Sequence, residues 1–177
     1  MPRGMMRRPG RASKSGSRLS ARLLPESYFV ARRLVLDAGV LGQASHPRQN
    51  QAFAQWFNAI LATDTTVFVS EIADYEVRRE LIRADRAVGL ARLNALKTTL
   101  PYLPLTTPIM LRAAELWAEA RRRGRPTADP QALDCDVILA AQALTMGAMV
   151  VTDNVGHLSL FVEAKRWQDI AVAEDTL

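Results

Sequence analysis

The apolar residues of this chain follow two patterns that together predict an α/β fold. Short continuous apolar runs, bounded by polar or turn-forming residues, predict buried strands at 34–36, 67–69 and 148–151. Apolar residues at three- and four-residue intervals predict helices at 48–62, 71–85, 87–100, 108–123 and 134–146. Because helices alternate with strands, we expect a parallel sheet with helices on both faces.

The less regular segments complete this prediction. Residues 102–105 contain a proline and predict a short edge strand, because an edge position tolerates the missing N–H donor. Residues 170–172 predict a last strand. The Ala38-Gly39 turn after the first strand is predicted to be flexible, and Gly147 is predicted to stop the helix that opens at Asp134.

Acidic side chains stand at or near the ends of these elements. Asp37 follows the first strand, and Asp153 follows the fourth. Asp136 is predicted in the first turn of the helix before the fourth strand, where the helix dipole favours acids, and Glu76 lies on the helix after the second strand. Ligands of open α/β sheets bind beyond the carboxyl ends of the strands. The four carboxylates therefore converge if the first and fourth strands are neighbours.

Carboxylates gathered in one crevice need a counter-charge. Without a cation they would repel one another or be forced to protonate. Mg²⁺ and Mn²⁺ prefer oxygen ligands and usually keep several waters, which suits a shallow acidic cleft. Such an ion can lower the pKa of a bound water and clamp a phosphodiester. The acids therefore predict metal-dependent hydrolysis of a phosphodiester bond.

Helical geometry separates these acids from their neighbours. At about 100° per residue, Glu71 and Glu76 point about 140° apart, so both cannot enter one pocket. We favour Glu76, at the border of the inward apolar stripe, whereas the helix dipole explains Glu71. Asp134 and Asp136 do not share a helix face; Asp136 leads into the apolar run, and Asp134 could cap the helix. For Asp37, a role as a helix N-cap stays open.

Composition bounds the class of protein. With 177 residues, of which 49% are apolar, the chain is long enough for one domain with a sizeable core. Its single cysteine, Cys135, excludes an intrachain disulfide and a cysteine-based zinc site, which fits a reducing cytoplasm. No apolar run approaches the roughly 20 residues of a membrane span, so we expect a cytoplasmic protein without membrane association.

The net charge of +5 is distributed unevenly. Residues 1–33 hold nine Arg and Lys against Glu26, a charge of +8, while the remainder holds 14 basic and 17 acidic residues, a charge of −3. We predict a basic, disordered extension at 1–33 and a folded domain at 34–177. Two other interpretations of the extension stay open: an arm that binds nucleic acid and an organellar targeting peptide.

Two pairs of arginines are candidates for weak contacts with nucleic acid. Arg79 and Arg83 belong to a helix face that is usually solvated but could meet a phosphate backbone. Arg122 and Arg123 end a later helix, where the helix dipole explains them. They also precede an acidic segment in sequence, so phosphate binding is the alternative.

Four segments resemble the PIN-domain nucleases, the group that includes VapC-like ribonuclease toxins of bacterial toxin-antitoxin pairs. The segments are LVLDAGVLG (34–42), SEIADYEVRREL (70–81), LDCDVILAAQAL (133–144) and VVTDNVGHLSLF (150–161). The resemblance implies a three-layer α/β/α domain with a mostly parallel sheet of about four or five strands. It implies an Mg²⁺- or Mn²⁺-dependent endoribonuclease with ligand roles for Asp37, Glu76 and Asp136. It also implies an antitoxin partner and a homodimer.

The fourth acidic position departs from the family pattern. Family members commonly carry an acid, sometimes an asparagine, two places after the Thr that ends the strand, here Thr152. That place holds Asn154, with Asp153 beside it. Either Asp153 supplies the fourth catalytic acid or metal binding is weaker, and Thr152, Asn154 and Asp134 are additional candidates. The alternative function is a PIN-like RNA-binding module with little or no catalytic activity.

Other phosphate chemistries are disfavoured. The segment that follows Asp37 lacks the second acid expected two residues after a phosphatase nucleophile. The chain also has no phosphate-binding loop of the GxxxxGKS or GxxxxGKT type and no GxGxxG turn, so a nucleotide cofactor is not expected.

Overall fold

A computed structural model describes residues 32–123 and 130–172, with side chains from residue 134 onward in the second range. Within these ranges one parallel sheet has the strand order β3-β2-β1-β4-β5. The strands are β1 (Arg33–Leu36), β2 (Thr66–Ser70), β3 (Tyr102–Leu103), β4 (Met149–Val151) and β5 (Ala164–Lys165). The helices are α1 (Ala38–Ser45), α2 (Gln51–Leu61), α3 (Glu71–Arg83), α4 (Ala87–Thr99), α5 (Thr107–Arg122), α6 (Pro130–Thr145) and α7 (Val155–Leu158). Helices cover both faces, so the predicted three-layer α/β/α fold is confirmed.

Strand β1 lies at the centre of the sheet. Leu34 pairs with Val67 of β2 on one side and with Met149 of β4 on the other. A strand flanked on both sides and covered on both faces is expected to be a continuous apolar run, as β1 is. Because β1 and β4 are parallel neighbours, Asp37 lies beside the residues that follow β4, and its backbone N–H donates to the carbonyl of Val151 over 3.0 Å.

The sheet separates two apolar cores. Alternation along β1 sends Val35 into the core that holds α5 and α6, and Leu34 and Leu36 into the core that holds α1 and α2. The aromatic stripe of α2, which the sequence predicts as core, is buried at Phe53, Trp56, Phe57 and Ile60. Burial on both faces fixes the sheet register, and with it the positions of the residues at the strand ends.

Helix α1 replaces the flexible turn predicted at Ala38-Gly39, and that prediction was wrong. The helix forms because Asp37 caps it and because Val40 and Leu41 are fully buried. The apolar periodicity did not predict this helix because the segment contains two glycines, and glycine is a poor helix former. One of them, Gly42, faces the side chain of Val77 on α3, so its small size suits the packing of α1 against α3.

The start of α6 was also predicted wrongly. The helix begins at Pro130, so Asp134 and Asp136 lie in its second turn. Asp134 therefore does not cap the helix, and the helix dipole does not explain the two acids as first-turn residues. Proline at a first helical position starts a helix well, because its missing N–H has no partner there anyway. The C-terminal prediction is confirmed: Gly147 has φ of 56° in the left-handed region just past the helix.

The last strand lies before the predicted one. Strand β5 (Ala164–Lys165) pairs with β4, and a 3₁₀ helix (Trp167–Asp169) follows it. Ile170 is buried without being part of a strand, and its carbonyl accepts a hydrogen bond from the indole N–H of Trp56 over 3.1 Å. Of the apolar residues at 170–172, only Ile170 is buried. A short apolar run does not by itself distinguish a strand from another buried segment.

The structure does not describe residues 1–31, so the predictions for this part of the basic extension lie outside the described residues. Arg33 begins β1, and the guanidinium of Arg32 donates to the carbonyl of Ala171 over 2.6 Å, so these two residues belong to the folded part. Among the helices of the described ranges, none combines the length and the apolar character needed to cross a membrane.

Candidate active site

Asp37 stands at the junction of β1 and α1, where both of its carboxylate oxygens are held. Oδ1 accepts the backbone N–H of Ala38 over 2.6 Å and caps α1. Oδ2 accepts the hydroxyl of Thr152 over 2.7 Å, and the same hydroxyl oxygen accepts the backbone N–H of Asn154 over 2.9 Å. Capping therefore uses one oxygen, and a fully buried threonine at the end of β4 orients the other.

Glu76 is half-buried on α3, and the rotation of that helix is fixed by its cap and its apolar stripe. The hydroxyl of Ser70 caps the helix by accepting the N–H of Ala73 over 3.3 Å, and Ala73 and Val77 are buried. Glu71 points elsewhere: its carboxylate accepts the backbone N–H of Leu105, beyond β3. The two acids of α3 thus separate into a structural one and one that faces the junction of β1 and α1.

Asp136 projects from the second turn of α6 toward the segment that follows β4. Its Oδ2 lies 3.9 Å from Nδ1 of His157, and its side chain is 19% exposed. His157 in turn has Nδ1 3.1 Å from the side-chain amide nitrogen of Asn154, which donates a hydrogen bond to that ring nitrogen when it carries no proton. Asp134, two residues earlier on α6, is exposed.

The three acids share one electrostatic environment. Burial raises the pKa of Asp136 to about 6, and the charges of Asp37 and Glu76 add to the increase while His157 opposes it. Burial also raises the pKa of Glu76, as does the charge of Asp37. For Asp37, burial raises the pKa, the bonds from Thr152 and Ala38 lower it, and the charge of Asp153 raises it again.

A hard divalent cation would offset the repulsion between these carboxylates. The charge of Asp37 raises the pKa of Glu76 and of Asp136, and all three carboxylates offer oxygen, the ligand that Mg²⁺ and Mn²⁺ prefer. Among the described residues, no group of three or more acid, cysteine or histidine side chains is gathered closely enough to hold a metal ion. An ion at this site would therefore take few ligands from the protein and keep several of its waters.

Asp153 and Asn154 are the two candidates for the fourth acidic position, and they make different contacts. Asp153 is exposed, its Oδ2 accepts the side-chain amide of Gln43 over 3.1 Å, and its charge acts on Asp37. Asn154 is engaged with His157, on the Asp136 side of the cleft. Of the two residues, Asp153 is the one whose negative charge reaches Asp37.

Three residues beside the acids were missed by sequence reasoning. They are Gln43, Cys135 and His157. The Cys135 thiol has its pKa raised to about 11 by burial and by the charge of Glu76. His157 follows Asn154 by three residues, a helical spacing that could have drawn attention to it, whereas nothing in the sequence marks Gln43.

The candidate arginines fall into two groups. Arg79 lies beside the acids, with Nη2 3.7 Å from Oε1 of Glu76. Arg79 and Arg83 both line a cavity of about 990 Å³ between α1, α3 and the start of α4, which reaches Glu76. Arg122 and Arg123 lie at the end of α5, where Arg123 pairs with Glu119 over 3.7 Å.

Comparison with known proteins points to one family and one fold. Residues 34–159 match the family model described as the PIN domain. No curated protein matches the chain. The matching segment begins with β1 and ends after α7, so it contains Asp37, Glu76 and Asp136.

Solved structures of low sequence identity share this fold. VapBC2 from Rickettsia felis, bound to a DNA fragment from its promoter, aligns with a TM-score of 0.64 at 16% identity, over 76% of this chain and 98% of that chain. FitAcB from Neisseria gonorrhoeae aligns with a TM-score of 0.60 at 20% identity, over 77% and 99%. VapBC-5 from Mycobacterium tuberculosis, a member of the VapBC family of toxin-antitoxin systems, aligns with a TM-score of 0.51 at 21% identity, over 76% and 96%.

Proposed function

The chain belongs to the PIN-domain family, and from that premise we propose that it is a metal-dependent endoribonuclease that hydrolyses RNA phosphodiester bonds in the cytoplasm. One observation carries the proposal: carboxylates from three separate elements lie near enough to one another that the charges of Asp37 and Glu76 raise the pKa of Asp136. The free Cys135 fits a reducing compartment. We further propose the predicted division into a basic extension and a catalytic domain, with the boundary moved from residue 34 to residue 32, because Arg32 and Arg33 belong to the folded part.

Each residue has a proposed part in the reaction. Asp37, Glu76 and Asp136 would hold Mg²⁺ or Mn²⁺, and the bound ion would lower the pKa of a water and offset phosphate charge. Thr152 fixes Oδ2 of Asp37 by donating its hydroxyl proton. Asp153 is exposed next to Asp37, so its carboxylate can accept a proton from the attacking water.

The test compares RNA cleavage by the wild type, Asp37→Asn and Glu71→Gln in Mg²⁺, Mn²⁺ and EDTA. Asparagine keeps the cap of α1 but removes the charge, so we expect cleavage to fall by at least about 100-fold. Glu71→Gln is the matched control, because Glu71 lies on the same helix as Glu76 but bonds to Leu105. Equal cleavage by the wild type in all three solutions, or by Asp37→Asn in Mg²⁺, would reject the mechanism.

A second candidate is a PIN-like RNA-binding module with little catalysis. The observation that favours it is the fourth position, where Asn154 replaces an acid and Asp153 is exposed. RNA binding that persists in EDTA, with no cut product in Mg²⁺ or Mn²⁺, would favour the module over the enzyme.

We also propose that the chain is the toxin of a pair with an antitoxin protein, and that it forms a homodimer. Support comes from the fold shared with VapBC chains. It also comes from the cavity between α1, α3 and α4, which reaches Glu76 and has Val88, 63% exposed, in its wall. A partner segment with apolar side chains could bury that wall and cover the acids.

Growth and mass measurements test these partners. Expression of the wild type and of Glu71→Gln should arrest bacterial growth, expression of Asp37→Asn should not, and the product of an adjacent small gene should restore growth. Harmless expression of an active enzyme would contradict toxin status. A solution mass near the 19.6 kDa of one chain would contradict the homodimer.

A further inference from the structure

An exposed tyrosine lies next to the acid cluster with an arginine over its ring. Tyr75 precedes Glu76 on α3, and 55% of its surface is exposed. The guanidinium carbon of Arg79 lies 5.3 Å from the centre of the Tyr75 ring. The same guanidinium has Nη2 3.7 Å from the carboxylate of Glu76. One arginine therefore connects the ring to a proposed metal ligand.

Packing does not account for Tyr75. Helix α3 buries Ile72, Ala73 and Val77, and Tyr75 is on the outward face. Tyr102 provides the contrast: it is half-buried, its hydroxyl reaches Asp74, and Lys97 covers its ring. Tyr102 joins β3 to α3, whereas the ring of Tyr75 has Arg79 on one side and solvent exposure over more than half of its surface.

The chemistry of this pair matches an unpaired nucleotide. Nucleobases stack on aromatic rings and on guanidinium planes, and this stacking tolerates any base because every base has a π face. The guanidinium also presents N–H donors at its edge for a phosphate oxygen. Bases inside a duplex keep both faces stacked on their neighbours, so only a single strand offers a base to such a surface.

We infer that Tyr75 and Arg79 form a base-stacking platform that holds an unpaired base of the RNA beside the acids. The inference rests on the proposed nuclease function and names the residues that position the RNA strand at the site. Tyr75 is a positioning residue: it takes no part in bond breakage, and it sets which phosphate lies near Asp37, Glu76 and Asp136.

The test measures RNA affinity in the full-length Asp37→Asn background, where the proposed cleavage is blocked. Three further substitutions are compared, Tyr75→Ala, Tyr75→Phe and Trp117→Ala, by fluorescence anisotropy with a labelled single-stranded RNA. Trp117 is the matched control, because it is also partly exposed and has the guanidinium of Arg121 4.9 Å from its ring, but it lies on α5. A second oligonucleotide of the same length with abasic sugars reports backbone contacts alone.

We expect Tyr75→Ala to weaken binding of the normal RNA by roughly 5- to 150-fold, the range for loss of one stacked base. Tyr75→Phe should keep the affinity, because the ring remains, and Trp117→Ala should keep it as well. Affinity for the abasic oligonucleotide should be the same with or without the Tyr75 ring. In the background that retains Asp37, Tyr75→Ala should raise KM more than it lowers kcat.

Several outcomes overturn the inference. Unchanged affinity in Tyr75→Ala would assign the exposed ring to a surface that contacts protein. Equal losses for the normal and abasic RNA would mean that the substitution perturbs charge or folding. Cleavage of RNA together with normal binding by Tyr75→Ala refutes the platform and leaves the nuclease intact. Ring-dependent binding without any cleavage refutes the nuclease and leaves the platform intact, and absence of RNA binding refutes both.

Discussion

The hydroxyl of Thr152 donates a hydrogen bond of 2.7 Å to Oδ2 of Asp37, across 115 positions of the chain. Thr152 has no exposed surface, so water does not compete for this bond. The bond exists because β1 and β4 are parallel neighbours that end at the same edge of the sheet. The bond orients the carboxylate of Asp37, a proposed metal ligand, as outer-shell partners of metal sites do.

Removing that hydroxyl should impair the site without unfolding the protein. Thr152→Val keeps the shape of the side chain but takes away the donor to Asp37 and the acceptor for Asn154. Loss of an outer-shell partner lowers metal affinity or activity about 10- to 100-fold. Calorimetric titration with Mn²⁺ and the rate of RNA cleavage measure the effect.

Two variants serve as controls for this prediction. Thr152→Ser retains the hydroxyl and should keep most of the activity. Thr145→Val removes a hydroxyl that bonds only to the carbonyl of Ala141 in its own helix, and it should leave metal affinity unchanged. If Thr152→Val binds Mn²⁺ as tightly as the wild type, the hydroxyl does not support the site.

The metal-free protein should become more stable when one of the crowded charges is removed. Burial and the charge of Asp37 raise the pKa of Asp136 from 3.8 to about 6, so the folded state holds its proton more tightly than the unfolded state. The contribution of Asp136 to stability is therefore greatest below pH 3.8 and is lost as the pH rises through about 6. In EDTA at pH 7.5, Asp136→Asn should raise the free energy of unfolding by about 1–2 kcal/mol.

The pH dependence separates this effect from a general gain in packing. The difference between Asp136→Asn and the wild type should shrink toward zero near pH 4, and urea unfolding at several pH values measures it. Asp134→Asn, on the same helix and exposed, should change stability little at any pH. A gain of the same size at pH 4 and at pH 7.5 would show that charge repulsion is not its cause.

Binding of the cation should stabilise the wild type, whose carboxylates repel one another in the metal-free protein. A ligand that binds only the folded state adds stability with its concentration, by about 2.7 kcal/mol at 100 times its dissociation constant. Adding Mg²⁺ or Mn²⁺ should therefore raise the melting temperature of the wild type and of Glu71→Gln, but not that of Asp37→Asn. The same increase in Asp37→Asn would locate the bound ion elsewhere.

Cys135 provides a chemical reporter of the charge on Glu76. Because burial and Glu76 raise the pKa of its thiol from 9.0 to about 11, alkylation of the folded protein at pH 7.5 should be slower than that of the unfolded chain by roughly tenfold or more. Glu76→Gln should speed up alkylation of the folded protein. Since Cys135 is the only cysteine, mass spectrometry follows a single site. Equal rates for the wild type and Glu76→Gln would mean that the two side chains do not interact.

The sequence predicted most of the helices and strands and the carboxylates of the candidate site. Buried strands appeared as continuous apolar runs, and the rotation of α3 separated Glu76 from Glu71, which the structure directs to Leu105. Local signals failed where they were weak. Helix α1 carries two glycines, α6 starts from Pro130, and of the apolar residues at 170–172 only Ile170 is buried, without pairing in the sheet.

The amino-acid sequence by itself determined which segments are helix or strand and which carboxylates stand near their ends, because periodicity and capping act over a few residues. Only the tertiary structure placed β1 beside β4, put the hydroxyl of Thr152 on Asp37, and let the charges of Asp37 and Glu76 act on Asp136. These relationships depend on strand order and on side-chain directions after packing. They join residues far apart in the chain, so no local pattern encodes them.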